Sequence, residues 1–195
     1  MSKGRLEAFS DAVIAIIITI MVLELKVPHG NQLADLRPLL PVFLSYLLSY
    51  IYIGIYWNNH HHLFQACRRV TGGVLWANLL LLFWLSLIPF CTGWMGENHF
   101  AAVPTALYGV VLLAAAYAYI VLQGRIVAAD GPDSPLARAL GRDRKGQVSR
   151  LCYGLGVAGA FYRPWIGWAL YVTVALIWFV PDRRIERQLR PEPEL

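Results

Sequence analysis

The sequence has little charge, and it lacks the motifs that mark soluble enzymes. Charged residues make up 15% of its 195 residues, 57% are hydrophobic, and the mean hydropathy is +0.50. A soluble domain of this length has about a quarter of its residues charged. The composition therefore indicates an integral membrane protein. Because neither G-x-S-x-G, a P-loop nor a pair of catalytic carboxylates occurs, we expect no enzymatic activity.

Cysteine is scarce, and two sequence patterns that could suggest cofactor or metal binding lack the structural context that such sites need. Cys67, Cys91 and Cys152 form no C-x-x-C pair, which gives neither a disulfide framework nor a zinc site. The run 154–159 fits G-x-G-x-x-G but lies in an apolar segment without a preceding strand, so close helix packing explains it better. Consecutive histidines 60–62 would point about 100° apart on a helix and cannot all bind one ion. We expect no cofactor and no metal.

Apolar segments separated by polar turns predict one all-α membrane domain, residues 1–195, with six transmembrane helices. The predicted spans are 6–27, 38–57, 74–94, 102–122, 148–162 and 165–180, followed by a solvated tail, 181–195. Proline and glycine predict a bend at Pro89, a turn at Asp130-Gly131-Pro132 and a helix start at Ser134-Pro135. Ser45, Ser49, Tyr52 and Tyr56 recur at helical spacing and should form a polar face against neighbouring helices.

The basic residues predict how the chain lies in the membrane. Of 17 Lys and Arg residues, only Lys26, Arg37 and Arg163 fall on one side, which leaves 14 at the amino terminus, in the second and fourth loops and in the tail. By the positive-inside rule, both termini are cytoplasmic. The same distribution explains the net charge of +5 without a nucleic-acid partner.

The first span places a carboxylate where lipid would not accept it. Its uncharged run, 12–23, is shorter than the ~20 residues that a lone span needs, so the span includes charged ends and Asp11 lies inside the apolar zone. A carboxylate there costs about 2.5–3.5 kcal/mol and should face protein or water. Either this helix lines an ion pathway, or Arg5 and Asp11 form an ordinary snorkelling end.

Ile16, Ile20 and Leu23 form a single aliphatic stripe on this span, with Thr19 beside it. In one helix such a stripe is ordinary packing. Around a common axis, several copies would form successive apolar rings, which can gate a pore by dewetting. Since the chain has one such helix, this requires an oligomer. We also expect one or two rings of His60–His62 to bond Asp11 or Arg5 across the helix interface.

Three motifs resemble the bacterial members of the TMEM175 lysosomal potassium channel family. They are Arg5-x-x-x-Phe9-Ser10-Asp11, Trp57-x-x-His60-His61-x-Leu63-Phe64, and Asn78 with Pro89-Phe90. The resemblance implies a homotetramer of six-helix subunits in the bacterial inner membrane, whose first helices line a central pore for potassium and other monovalent cations.

The resemblance also implies roles for individual residues. Ile16 would form the narrowest constriction, with Ile20 and Leu23 further along the pore, and the Thr19 hydroxyl would favour potassium. Supporting contacts of the pore helix would come from a second set: Arg5, Phe9, Ser10, Asp11, His60, His61 and Asn78. Because the filter sequence T-V-G-Y-G is absent, selectivity would come from side chains or pore width.

Two other functions remain open. A small secondary transporter could use Asp11 and a histidine as a proton relay, so its flux would depend on a pH gradient. The absence of inverted repeats and of interrupted spans argues against it. A non-conducting membrane scaffold is the third interpretation.

Overall fold

The protein folds into a bundle of α-helices. The computed structural model describes residues 2–140 and 143–179, so the end of the predicted sixth span and the tail 181–195 lie outside the described residues. Its helices are α1 (Lys3–Leu23), a 3₁₀ helix (Leu33–Leu39), α2 (Leu40–Ala66), α3 (Gly72–Ser86), α4 (Ile88–Glu97), α5 (Ala102–Asp130), α6 (Pro135–Leu140), α7 (Arg144–Tyr162) and α8 (Pro164–Phe179). Helix α5 packs against α3, α4, α7 and α8, whereas α1 packs against α2, α3 and α4.

Four helical segments are long and apolar enough to cross a membrane. They are Lys3–Leu23, Leu33–Ala66, Gly72–Glu97 and Ala102–Asp130, and the apolar segment Pro164–Phe179 is shorter. A helix rises about 1.5 Å per residue, so about 20 apolar residues cover the hydrocarbon core. The prediction of an all-helical membrane protein is therefore confirmed.

Helix α1 ends before the predicted limit of residue 27. Its last residue is Leu23. Pro28 disfavours helical backbone at the residue before it. The Lys26 ammonium lies 2.5 Å from a carboxylate oxygen of Glu97, which holds the segment after α1 against the end of α4. The hydrogen bond to this carboxylate raises the pKa of Lys26.

Helix α2 is longer than the predicted span 38–57. It continues through the polar run 58–62 and ends at Ala66, where Cys67 becomes extended. Polar residues do not end the helix here because they find partners within the bundle. The Tyr119 hydroxyl donates to the Asn59 carbonyl at 3.1 Å, and His60 is buried.

A one-residue break separates α3 from α4, close to the position where the sequence predicts a bend at Pro89. Helix α3 ends at Ser86, and α4 begins at Ile88. Pro89 thus lies in the first turn of α4, where its missing N–H would have no partner in the helix.

The loop after α5 also follows the sequence prediction. Gly131 has a φ of 98°, a backbone conformation that favours glycine. The Ser134 hydroxyl then accepts a hydrogen bond from the Ala137 N–H at 3.2 Å, at the start of α6. This is the capping geometry expected of a serine that precedes a helix.

The hydroxyl-bearing face of α2 is buried, as predicted. Its members are Ser45, Ser49, Tyr52 and Tyr56. The Ser49 hydroxyl lies 2.6 Å from that of Thr92 and 3.0 Å from that of Tyr108. The Tyr52 hydroxyl donates to the Tyr171 carbonyl at 2.6 Å. These bonds tie α2 to α4, α5 and α8. Each bond also gives a buried hydroxyl the partner whose absence would be costly.

Glycines allow α5, α7 and α8 to pack closely around Tyr171. A Cβ on Gly156 would overlap the Tyr171 ring, and one on Gly109 would overlap its hydroxyl. Gly154, by contrast, faces open space. A Cβ on Gly159 would overlap the Ile166 side chain. Close packing thus accounts for two glycines of the run 154–159, and Gly109 on α5 contributes a contact that the sequence did not indicate.

We expect Gly109→Ala to destabilise the protein, because the added methyl group must displace Tyr171 at a cost of about 1–3 kcal/mol. Alanine gains roughly 1 kcal/mol over glycine in a helix, so the net loss is up to about 2 kcal/mol. The matched control is Gly124→Ala, at a position on α5 with no neighbouring atom within 4 Å of an added Cβ. Thermal unfolding in detergent measures both, and equal melting temperatures would contradict the close packing.

Candidate functional site

One half of α1 is exposed in the single chain. Its buried residues follow a helical spacing on the opposite side: Leu6, Ser10, Ile14, Ile17 and Met21. The exposed face includes Ile16 at 55% exposure, Ile20 at 43% and Leu23 at 80%. The aliphatic stripe predicted from the sequence therefore lies away from the bundle, where it is available to lipid, solvent or another subunit.

Thr19 presents a hydroxyl on this exposed face. Its proton is directed to the backbone of its own helix, since Oγ1 lies 2.9 Å from the Ile16 carbonyl and 3.2 Å from the Ala15 carbonyl. The lone pairs of Oγ1 remain available to accept. A hydroxyl oxygen bound in this way can serve as a ligand for a hard monovalent cation.

A chain of hydrogen bonds joins the buried face of α1 to α3 and α2. The Asn78 amide nitrogen donates to the Ser10 hydroxyl at 2.9 Å, and Ser10 donates to the Leu6 carbonyl at 2.9 Å. The amide oxygen of Asn78 lies 2.7 Å from His60 Nε2. Because an amide oxygen only accepts, His60 Nε2 carries the proton and donates. The side chains of Ser10, Asn78 and His60, which form this series of hydrogen bonds, are all buried.

The histidine run divides between the interior and the surface. His60 is buried, whereas His61 is exposed and its Nε2 lies 2.9 Å from the Gln65 amide nitrogen. The expectation that these rings bond Asp11 or Arg5 is wrong for His60, whose bond runs to Asn78. A helical rotation of about 100° per residue explains why adjacent histidines have different surroundings. Among the described residues, no three His, Cys, Asp or Glu side chains are placed to hold one metal ion.

Asp11 lies on the exposed surface of the single chain. Its carboxylate accepts a hydrogen bond from Trp57 Nε1 at 3.0 Å, and the Trp57 ring stacks on His61 at 6.2 Å between centroids. Trp57 was not among the predicted site residues, although it lies three residues before His60 in the second motif. A tryptophan directly before a polar run was the available signal.

Arg5 and Phe9 remain apart from the buried chain. Both side chains are exposed, and Phe9 is 47% exposed. Within residues 2–140 and 143–179, Arg5 forms no ion pair with a carboxylate. The structure therefore brings together Ser10, Asn78 and His60, but leaves Arg5 and Phe9 on the free side of the helix.

An open groove of about 690 Å³ runs between α1 and α4. Apolar side chains form most of its walls, with Ile16 and Ile20 on α1 and Phe90 and Trp94 on α4. Two acidic residues also line the groove: Glu24 at the end of α1 and Glu97 at the end of α4. In a membrane protein, an exposed apolar groove of this kind is open to lipid or to another subunit.

The fold and this surface define a helical membrane protein whose first helix combines a buried polar anchor with an exposed apolar face. Residues 5–89 match the sequence model of a family described as endosomal/lysosomal potassium channel TMEM175. A potassium channel of Chryseobacterium sp. (strain P1-3) is 55% identical over 190 residues, 97% of this chain and 99% of that protein. The chain therefore belongs to the TMEM175 family, which confirms the resemblance seen in the motifs.

Two further proteins show how far the similarity extends. A crystal structure of a lysosomal potassium-selective channel TMEM175 homolog from Chamaesiphon minutus has a TM-score of 0.77 at 28% identity, and covers 96% of this chain and 98% of that one. The endosomal/lysosomal proton channel TMEM175 of Gallus gallus is 35% identical over 101 residues, 46% of this chain and 20% of that protein. Since these relatives are named as channels, the chain is not an enzyme, as expected.

We expect Asn78→Ala to destabilise the fold strongly, because it leaves buried His60 without its acceptor and Ser10 without its donor. Each buried polar group left unpaired costs about 1–3 kcal/mol. The control is Asn58→Ala, at a half-buried asparagine with no side-chain hydrogen bond within the described part of the chain. Thermal unfolding and recovery of monodisperse protein measure the effect. If both variants are equally stable, the Asn78 bonds do not anchor α1.

Proposed function

We propose that this protein is a potassium-preferring cation channel that conducts passively through a pore lined by α1. The observation that carries the proposal is the exposed apolar face of α1 around Ile16, on a helix whose other face is held in the bundle. The relatives named as potassium channels support the same activity.

The exposed half of α1 carries charged residues, which favour contact with protein or water over contact with lipid. Asp11 and Arg5 are exposed in the single chain, and either charge is costly in the hydrocarbon core. A neighbouring subunit or an aqueous pathway removes this cost. One helix cannot enclose a pathway, so the proposal includes several copies of α1 around one axis.

In this arrangement the exposed half of α1 divides into two parts. Ile16 and Leu23 would point towards the axis and form apolar rings, with Ile20 turned about 40° to one side. Small residues flank the stripe on the other side: Ala8, Ala12 and Ala15. Small side chains allow close approach of a neighbouring helix. The groove between α1 and α4 is the complementary surface on which that helix would rest. A closed ring of such contacts is heterologous, and we propose four subunits.

The proposed subunit crosses the membrane six times, with both termini in the cytoplasm of a bacterial cell. The four long apolar segments would be joined by α7 and α8, which form a helical hairpin at Arg163-Pro164. An even number of spans returns the chain to its starting side. The excess of Lys and Arg on that side supports a cytoplasmic location at the inner membrane.

Permeant cations would meet an apolar constriction at Ile16 and an oxygen ligand at Thr19, one turn along the helix. The apolar ring opposes passage of a hydrated ion when it is narrow and dry. Thr19 Oγ1 would offer each ion one ligand from each subunit. In this proposal Ser10, Asn78 and His60 act from behind the pore by fixing the rotation of α1, and Asp11 with Trp57, His61, Arg5 and Phe9 would form contacts at its cytoplasmic end.

Proton permeation is a second candidate function, because the animal relatives are named proton channels. The relay suggested by the sequence would join Asp11 to a histidine. In the described residues His60 bonds Asn78, and Asp11 bonds Trp57. No direct bond links Asp11 to His60, so a coupled relay between them lacks geometric support.

We expect Ile16→Asn to raise single-channel conductance several-fold, because a polar ring weakens the dewetting of the constriction. Planar-bilayer recordings with asymmetric potassium and sodium measure the conductance and the reversal potential. Leu176→Asn is the control, since Leu176 is an exposed apolar residue on α8, which packs against α7, α5 and α2.

Three outcomes would decide between the candidates. Raised conductance in Ile16→Asn with wild-type conductance in Leu176→Asn supports the pore at α1. Unchanged conductance in Ile16→Asn would remove Ile16 from the constriction. Currents that reverse at the proton equilibrium potential under a pH gradient would instead favour proton permeation.

We expect Thr19→Val to reduce the preference for potassium over sodium, because valine keeps the shape of threonine but removes the oxygen ligand. Thr19→Ser should retain most of the preference. Thr173 on α8 provides a matched control, since its exposed hydroxyl also donates to its own helix, at 2.8 Å from the Ala169 carbonyl. Reversal potentials under bi-ionic conditions measure the effect. If Thr19→Val and Thr173→Val behave alike, Thr19 is not a selectivity residue.

A further inference from the structure

Three arginines gather at the end of the bundle where α2 meets α3. Arg68 and Arg69 lie in the loop between these helices, and both side chains are exposed. Arg125, also exposed, lies near the end of α5. Its aliphatic stem crosses the first turn of α3, since a Cβ on Gly73 would lie 3.6 Å from Arg125 Cδ.

The carboxylate of Asp130, at this end of the bundle, is bonded to the backbone. The two oxygens of Asp130 accept the Arg68 and Arg69 N–H groups, each at 2.8 Å. Asp130 thereby fixes the loop against the end of α5. Over residues 2–140 and 143–179, the ion pairs join Lys26 to Glu97 and Arg150 to Asp143. Within that range, therefore, none of the three guanidinium groups has a carboxylate within 4 Å.

An exposed tryptophan beside the three arginines is consistent with headgroup depth for their guanidinium groups. Trp76 lies three residues after Gly73, on the same side of α3, and is 75% exposed. Exposed tryptophan is typical of the boundary between the hydrocarbon core and the headgroups. An anion that meets Arg125 at this depth is part of the bilayer, whereas a soluble anion would favour sites further into water.

We propose that Arg68, Arg69 and Arg125 form a binding site for the phosphate headgroup of an anionic phospholipid. A guanidinium group binds phosphate oxygens through two parallel N–H bonds, which makes arginine a specific ligand for this group. A purely topological role requires positive charge on this side of the membrane, but not three arginines at one end of the bundle that have no carboxylate partner within the described residues. The site does not depend on the proposed channel activity.

The test compares lipid binding by purified full-length protein in native mass spectrometry, with phosphatidylglycerol and phosphatidylcholine of identical acyl chains. For the wild type we expect an affinity ratio of about 100 in favour of phosphatidylglycerol, since each arginine near an anionic surface contributes roughly a factor of five. The variant R68Q/R69Q/R125Q should reduce the ratio to near one. The control R37Q/R144Q/R163Q removes equal charge from exposed positions elsewhere and should keep the wild-type ratio.

Each result has a definite meaning. Equal ratios in the two triple variants would overturn the site, because only total charge would then matter. Displacement of phosphatidylglycerol by an excess of free inorganic phosphate would overturn the assignment to lipid. If phosphatidylglycerol remains bound under that excess, and R68Q/R69Q/R125Q alone loses it while eluting as the wild-type species, the proposal is supported.

Discussion

The rotation of α1 about its own axis is the constraint on which the candidate site depends. From Ala12 to Leu23 this helix is apolar on nearly every side, so burial of hydrophobic area alone does not select one face for the bundle. The Asn78 bond to Ser10 does select it, because a rotation of one residue would leave buried polar groups unpaired. Fixing Ser10 inward fixes Ile16 outward. A short polar contact thus determines which aliphatic side chains are free.

The rest of the bundle provides a stiff support for this contact. Hydroxyl groups of α2 are bonded to α4, α5 and α8, and glycines on α5 and α7 let Tyr171 fill the space between them. In a bilayer, hydrophobic burial does not drive helices together, so close packing and internal hydrogen bonds carry the association. The hydrogen bonds on one side of α2 therefore hold this helix in the position in which another side of it supports α1.

Local features of the structure could be predicted from the sequence, but the hydrogen-bond partners of side chains on different helices could not. The bend at Pro89 and the turn at Gly131 follow from backbone chemistry that operates within a few residues. The continuation of α2 through His60 could not be read in this way, since it depends on partners supplied by α3 and α5. For the same reason the sequence predicted a bond from a histidine to Asp11 or Arg5, while His60 bonds Asn78 and Asp11 bonds Trp57.

The proposed pore chemistry also limits how selective the protein would be. A potassium ion in water is surrounded by several oxygen atoms, and a filter of backbone carbonyls replaces them all. Thr19 would supply one oxygen per subunit, and its proton is held by the backbone, so each hydroxyl acts only as an acceptor. In the proposed ring of four subunits, four such oxygens would replace part of the hydration shell, and water would provide the remainder. A site of this kind discriminates between potassium and sodium through the cost of partial dehydration, which gives a preference and not an absolute exclusion.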